Sequence, residues 1–81
     1  MVYDEIRAEE ERATKLHGQM FNSLHEAYAV IVEELDEVWD IVRQQPRKRS
    51  IVALRREFIQ IAAMAVRAIN SLEKFGKYAA V

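Results

Sequence analysis

Residues 23–42 read SLHEAYAVIVEELDEVWDIV, and the spacing of their apolar members decides the fold class. Leu24, Tyr28, Ile31, Leu35, Val38 and Val42 recur at intervals of 4, 3, 4, 3 and 4, the repeat of a helix that packs along one seam. Ser23 stands before the run with Glu26 three residues later. In that pattern a serine hydroxyl takes an amide of the first turn and a glutamate reaches back. Pro46 closes the segment, because proline lacks a backbone donor and disfavours helix in the residue before it. The helix is therefore expected to run from Ser23 to about Gln45.

Gly18, Pro46 and Gly76 are the only glycine or proline residues among 81, and they divide the chain into three segments with helical spacing. The first, roughly Tyr3 to His17, is mostly charged, with a thin apolar stripe of Ile6, Ala13, Leu16 and Met20. The third starts at Ser50, a suitable N-cap, and ends near Phe75, with Lys74 in its last turn and Gly76 as a left-handed residue after it. Its seam is Ile51, Leu54, Phe58, Ala62, Ala65, Ile69 and Leu72, and between Phe58 and Ile69 it is apolar on nearly every side. Such a helix is buried among several neighbours, and two others from one short chain hardly cover it. The expected architecture is all-α, a single domain over 1–81. Its three-helix protomer completes a four-helix-bundle core by oligomerising as a homodimer or homotetramer. Tyr28, Trp39 and Phe58 are expected in the core, and Met20 and Phe21 are expected to staple the start of the second helix.

Composition excludes several function classes. Two glycines and one proline leave too few turns for a β-sandwich or barrel, and neither GxxxxGK[ST] nor GxGxxG occurs. Without cysteine there is no disulfide, no thiol nucleophile and no thiolate zinc site. The acidic start MVYDEIRAEEE is unlike a signal peptide. The apolar run from Phe58 to Val66 is interrupted by Gln60 and stopped by Arg67, short of the ~20 residues a membrane span needs. A cytoplasmic protein with no membrane partner is the expectation. Residues 1–42 carry 11 acids against 3 bases and residues 43–81 carry 2 acids against 9 bases, so the near-neutral total of −1 hides two opposite fields. These favour packing the third helix on the second. With the net charge near zero and no aromatics interleaved with the bases, nucleic acid is not an expected partner.

The acids of the second helix are the unusual feature. On a helical wheel with Leu24 at zero, the apolar arc runs from roughly 240° through zero to 80°; Glu34 falls inside it at about 280° and Glu37 at its border near 220°. Glu33, Asp36 and Asp40 face away. In the third helix Glu57 and Gln60 make a similar polar pair, i and i+3, at the edge of the seam. Carboxylates pressed together at about 4 Å repel by ~4 kcal/mol per pair at an effective dielectric near 20, so something must compensate. Arg55, Arg56 or Arg67 would do so as structural ion-pair partners, in a non-catalytic helical oligomer or a regulatory partner of another protein. A hard divalent cation would do so in a metal site. None of Glu33, Glu34, Glu37 or Glu57 has the histidine three residues later that marks di-iron bundles, which favours a harder ion.

Glu33-Glu34-Leu35-Asp36-Glu37 reads EExxE, and nineteen residues separate Glu37 from Glu57-Phe58-Ile59-Gln60, which is similar to ExxD. Together with SLHEAYAVIVEELDEVWDIV and REFIQIAAMAVRAI, these motifs resemble the MazG-like all-α nucleotide pyrophosphohydrolases, in particular their small phage and bacterial members, over residues 17 to 72. The resemblance implies paired helices from two subunits in a four-helix bundle. It also implies Mg²⁺-dependent cleavage (Mn²⁺ being the alternative ion) of a nucleoside triphosphate to the monophosphate and pyrophosphate, a house-cleaning activity. By position it makes Glu34, Glu37, Glu57 and Gln60 metal ligands and Glu33 a further ligand or the residue that positions the attacking water. Gln60 stands where the family usually has aspartate, leaving the site one negative charge short and offering a weaker magnesium ligand. Arg56 and Arg67 are the helical candidates for phosphate contacts beside the loop Arg47-Lys48-Arg49, and His25, with His17, is a candidate hydrogen-bonding group for the base.

Overall fold

The computed structural model describes residues 1–76, and among them every regular element is helical. The elements are α1 (Val2–His17), α2 (Leu24–Val42) and α3 (Ile51–Ser71), with 3₁₀ turns at Pro46–Lys48 and Leu72–Phe75. None of these helices is long and apolar enough to cross a membrane.

The helix ends follow from local chemistry. Ser23 is the N-cap of α2, its Oγ accepting from the Glu26 amide at 3.0 Å. Glu26 reaches back one residue further than the cap: Oε1 accepts from the Asn22 amide at 3.2 Å and Oε2 from Asn22 Nδ2 at 3.0 Å. Ser50 caps α3 in the same way, accepting from Ala53 N at 3.1 Å. At the end of α1, Gly18 adopts φ 89° and donates its amide to Thr14 O, a backbone conformation that side chains with a Cβ disfavour. Helix α2 stops at Val42, three residues before the expected Gln45. The reason is Arg49, whose Nε donates to the Val42 carbonyl at 2.9 Å and satisfies an orphan helix-end acceptor from the following loop. One of the three bases in that loop is thereby a structural cap.

Helix α3 is the central element and packs against both α1 and α2. The core cluster is small: Ala13 from α1, Phe21 from the first loop, Ala27 from α2, and Ala63 and Met64 from α3, with Ile6, Val30, Ile31 and Ala68 packed around it. In α1 the buried stripe is Ile6 and Ala13 without Leu16 or Met20, both of which are exposed, because Gly18 turns the chain before a further helical turn can face α3. Phe21 instead fills the space between the loop and α3.

A further expectation is corrected. Tyr28, Trp39 and Phe58 lie outside the protomer core, at 73%, 60% and 52% exposure, because the faces of α2 and α3 that carry them turn away from the helices of their own chain. The third helix does pack on the second, as expected, but among the described residues no ion pair joins these two. The ion pair that joins helices links α1 to α3, with Arg55 Nη1 donating to Glu5 Oε1 at 2.7 Å. The molecule measures 46 × 25 × 19 Å with a radius of gyration of 14.2 Å, against about 12 Å for a compact domain of this length.

Ser71 locks the first loop onto α3. Its side chain is fully buried, accepting from Phe21 N at 3.0 Å and donating to Arg67 O at 2.7 Å. Ser71→Ala strands the Phe21 amide without a partner and is expected to cost about 2 kcal/mol, read as a lower midpoint of urea unfolding.

Candidate metal centre

Glu34 and Glu37 lie one turn apart on α2, and Glu57 and Gln60 one turn apart on α3 where it crosses α2. One carboxylate oxygen from each of Glu34, Glu37 and Glu57 lies within 4.8 Å of both others. Gln60 sits between the two helices. With its amide nitrogen turned toward the acids, as two acceptors require, it donates to Glu34 Oε2 at 2.8 Å and to Glu57 Oε2 at 3.1 Å. The wheel anomaly in the sequence thus corresponds to one cluster of three carboxylates and an amide.

Among the described residues no arginine forms a salt bridge with it, although Arg12 lies close enough to Glu34 for their charges to interact. Arg55 is committed to Glu5, and Arg67 donates Nη2 to the Gly18 carbonyl at 2.9 Å. Arg56, exposed and next to Glu57 in sequence, acts on that acid only through its charge. The carboxyl groups respond as uncompensated acids do. Burial, then the charge of Glu37 and a hydrogen bond to Glu57, push Glu34 up from 4.5 to about 7. Glu57 is also raised, first by burial and then by its hydrogen bond with Glu37; the hydrogen bond from Glu34 and the charge of Arg56 oppose this. Of the two, Glu34 is the more strongly raised.

This has a measurable consequence without any metal. In the folded chain Glu34 keeps its proton to about pH 7, whereas in the unfolded chain it releases it near 4.5. Across that window the folded state binds more protons, so stability falls as pH rises. Because Glu34 remains partly open to solvent, the loss is expected to be about 1 kcal/mol. Urea midpoints measured in chelator on either side of the window check it, and a midpoint that rises with pH contradicts the placement of the acids.

A cleft of about 580 Å³ adjoins the cluster, lined by Glu33, Glu34 and Gln60 and also by Arg67, Phe21 and His17. Glu33 is exposed on its rim. Arg67 is 3% exposed, with its guanidinium 4.6 Å from the centre of the Phe21 ring. Among the described residues its Nε is the buried side-chain polar atom left without a hydrogen-bond partner. Compared with family models, with curated proteins and with solved structures, the chain matches none.

His25 does not belong to the site. It is exposed and off the cleft, because the neighbouring Glu26 takes the inward position on that turn of α2. His17 lines the cleft in its place, together with Arg12 and Asn22. Arg12 is held by Glu9, with Nε donating to Oε2 at 2.9 Å. Neither Arg12 nor Asn22 carries a signal in the sequence: Arg12 sits in a charged helix whose apolar stripe is too thin to orient it.

The donor set of three carboxylates is oxygen throughout, which suits Mg²⁺ or Mn²⁺ and not a soft ion.

Proposed function

We propose that the protein is a Mg²⁺-dependent nucleoside triphosphate pyrophosphohydrolase, converting an NTP or dNTP to the monophosphate and pyrophosphate and so clearing unwanted nucleotides. The observation that carries this reading is the convergence of Glu34, Glu37 and Glu57 from two helices with no cationic side chain among the described residues in a salt bridge with them. The likeness of the EExxE and ExxQ stretches to MazG-like enzymes supports the same reading.

In this mechanism Glu34, Glu37 and Glu57 would hold the ion, with Gln60 as a neutral fourth group, and the bound ion would supply Lewis acidity against charge developing on the phosphate oxygens. Glu33, at the cleft rim beside the ligand Glu34, orients the attacking water and accepts its proton. Arg67 at the cleft wall and Arg56 beside Glu57 supply positive charge toward the triphosphate.

The working unit is an oligomer, a dimer or tetramer in which α2 and α3 of two subunits make a four-helix bundle. Tyr28, Leu35 and Trp39 on α2, Ile51, Phe58 and Ile69 on α3, and Leu72 just after it are exposed at helical spacings. They form an apolar face too long for a free surface helix. The elongated protomer fits the same arrangement.

The test is incubation with a panel of ribo- and deoxyribonucleoside triphosphates and Mg²⁺, assayed for pyrophosphate. Release from at least one is expected; no release from any, with Mg²⁺ or Mn²⁺, overturns the reading.

A further inference from the structure

Gln60 holds a position that two chemically different atoms could fill. Its amide lies between Glu34 and Glu57 with one terminal atom 2.8 Å and 3.1 Å from their oxygens. If that atom is nitrogen, these are two charge-assisted hydrogen bonds that hold the acids together. If it is the amide oxygen, the contacts to ionised carboxylates are repulsive unless a cation lies among the oxygens. Adjacent ligand oxygens on an octahedral magnesium are themselves about 3 Å apart, so the oxygen fits the same place once an ion is bound. A 180° rotation of the terminal amide exchanges the two atoms and leaves the rest of the side chain where it is.

We infer that Gln60 is a metal-responsive placeholder: its N–H₂ group bridges Glu34 and Glu57 in the metal-free protein, and the amide flips to present its oxygen when a divalent cation enters. This inference rests on the metal-binding reading above and assigns Gln60 a role in it that a carboxylate could not fill. Ionised aspartate or glutamate has no hydrogen to donate. At this position it would add a further negative charge to the metal-free cluster. Glutamine replaces that repulsion with two hydrogen bonds, at the cost of a weaker ligand. The metal-free protomer is thereby kept folded with its site assembled, and the ion binds more weakly than it would to four carboxylates.

The wild-type side chain is its own probe. In ¹⁵N-labelled protein the Gln60 N–H₂ pair is followed during titration with magnesium chloride, with the exposed Gln45 as internal control. Without metal, the Gln60 protons are expected to exchange with solvent at least about 10-fold more slowly than those of Gln45, as protons bonded to carboxylates do. With saturating magnesium that protection is lost, at the same midpoint as the shifts of the Glu34 and Glu57 carboxyl carbons. If the carboxyl carbons titrate while Gln60 keeps its protection, the flip is wrong and the metal site stands. If no carboxyl carbon responds to magnesium or manganese, the metal reading fails and the flip with it. The variant Gln60→Glu supplies the second arm. In chelator above pH 7 it is expected to melt lower than wild type and to gain more from saturating magnesium. Equal melting in chelator overturns the placeholder role.

Discussion

Glu34→Gln makes the metal-free protein more stable, not less, and removes its response to magnesium. The three carboxylates lie within 4.8 Å of one another. At that separation and an effective dielectric near 20, each charged pair costs about 3 kcal/mol. Glu37 is exposed and Glu34 half-buried, so solvent screens most of this. The net relief from neutralising Glu34 is about 1 kcal/mol, or a rise of roughly 4–8 °C in Tm for a domain of this size. Glutamine keeps the shape of glutamate and an oxygen that accepts from Gln60, so nothing is lost in packing.

The pH dependence of this gain identifies its cause. Above about pH 7 the wild-type Glu34 is ionised in both states and the variant should be more stable by its full margin; the margin shrinks as pH falls toward 4.5, below which Glu34 is neutral folded and unfolded and the two proteins should melt together. Magnesium reverses the order, because the ion stabilises only the protein that binds it. With one anionic ligand gone, the pyrophosphohydrolase rate is expected to drop about 100-fold, the equivalent of roughly 3 kcal/mol of transition-state stabilisation. Thermal melts in chelator and in saturating magnesium check both directions. A variant that melts lower in chelator at high pH means that a cation of the protein was paired with Glu34.

The parts of the molecule that were legible in the sequence are those set by neighbours along the chain. Ser23, Ser50 and Gly18 act within a turn of where they stand, so three helices and most of their ends could be read directly. The acid cluster was legible for a related reason. Helical geometry fixes which residues share a face, and Glu34, Glu37 and Glu57 share the faces by which α2 and α3 meet. Burial was not legible for Tyr28, Trp39 and Phe58, because periodicity names a face without saying what covers it. Nor were the arginine partners. A guanidinium on its long flexible stem reaches beyond its own helical turn, and the choices made by Arg55 for Glu5, Arg49 for the Val42 carbonyl and Arg67 for the Gly18 carbonyl depend on tertiary geometry. Whether the acids were paired with arginine could therefore be decided only in three dimensions.

Arg67 is the residue for which stability and function should separate most clearly. It is a buried cation with no carboxylate partner. Its guanidinium is satisfied by a carbonyl, a methionine sulphur at 3.6 Å and the face of Phe21, and its Nε has no partner. Burying a charge on such terms is costly, and an apolar side chain of similar volume is often neutral or better in its place. Arg67→Met is therefore expected to fold and to match or exceed the wild-type urea midpoint. Arg67→Ala empties the space against Phe21 and Met64 and is expected to cost about 3 kcal/mol. A purely structural arginine would show no further difference between Arg67→Met and wild type. An arginine that faces the triphosphate through the cleft wall supplies a charge-assisted contact instead. Its loss should weaken substrate binding about 10- to 100-fold, corresponding to roughly 1.5–3 kcal/mol. The effect should appear in KM and in direct binding of a non-hydrolysable triphosphate, with magnesium affinity unchanged, because Arg67 touches none of the three acids. Unchanged KM in a well-folded Arg67→Met would assign the buried charge to anchoring the loop at Gly18 and leave the phosphate contacts to Arg56 and Arg12.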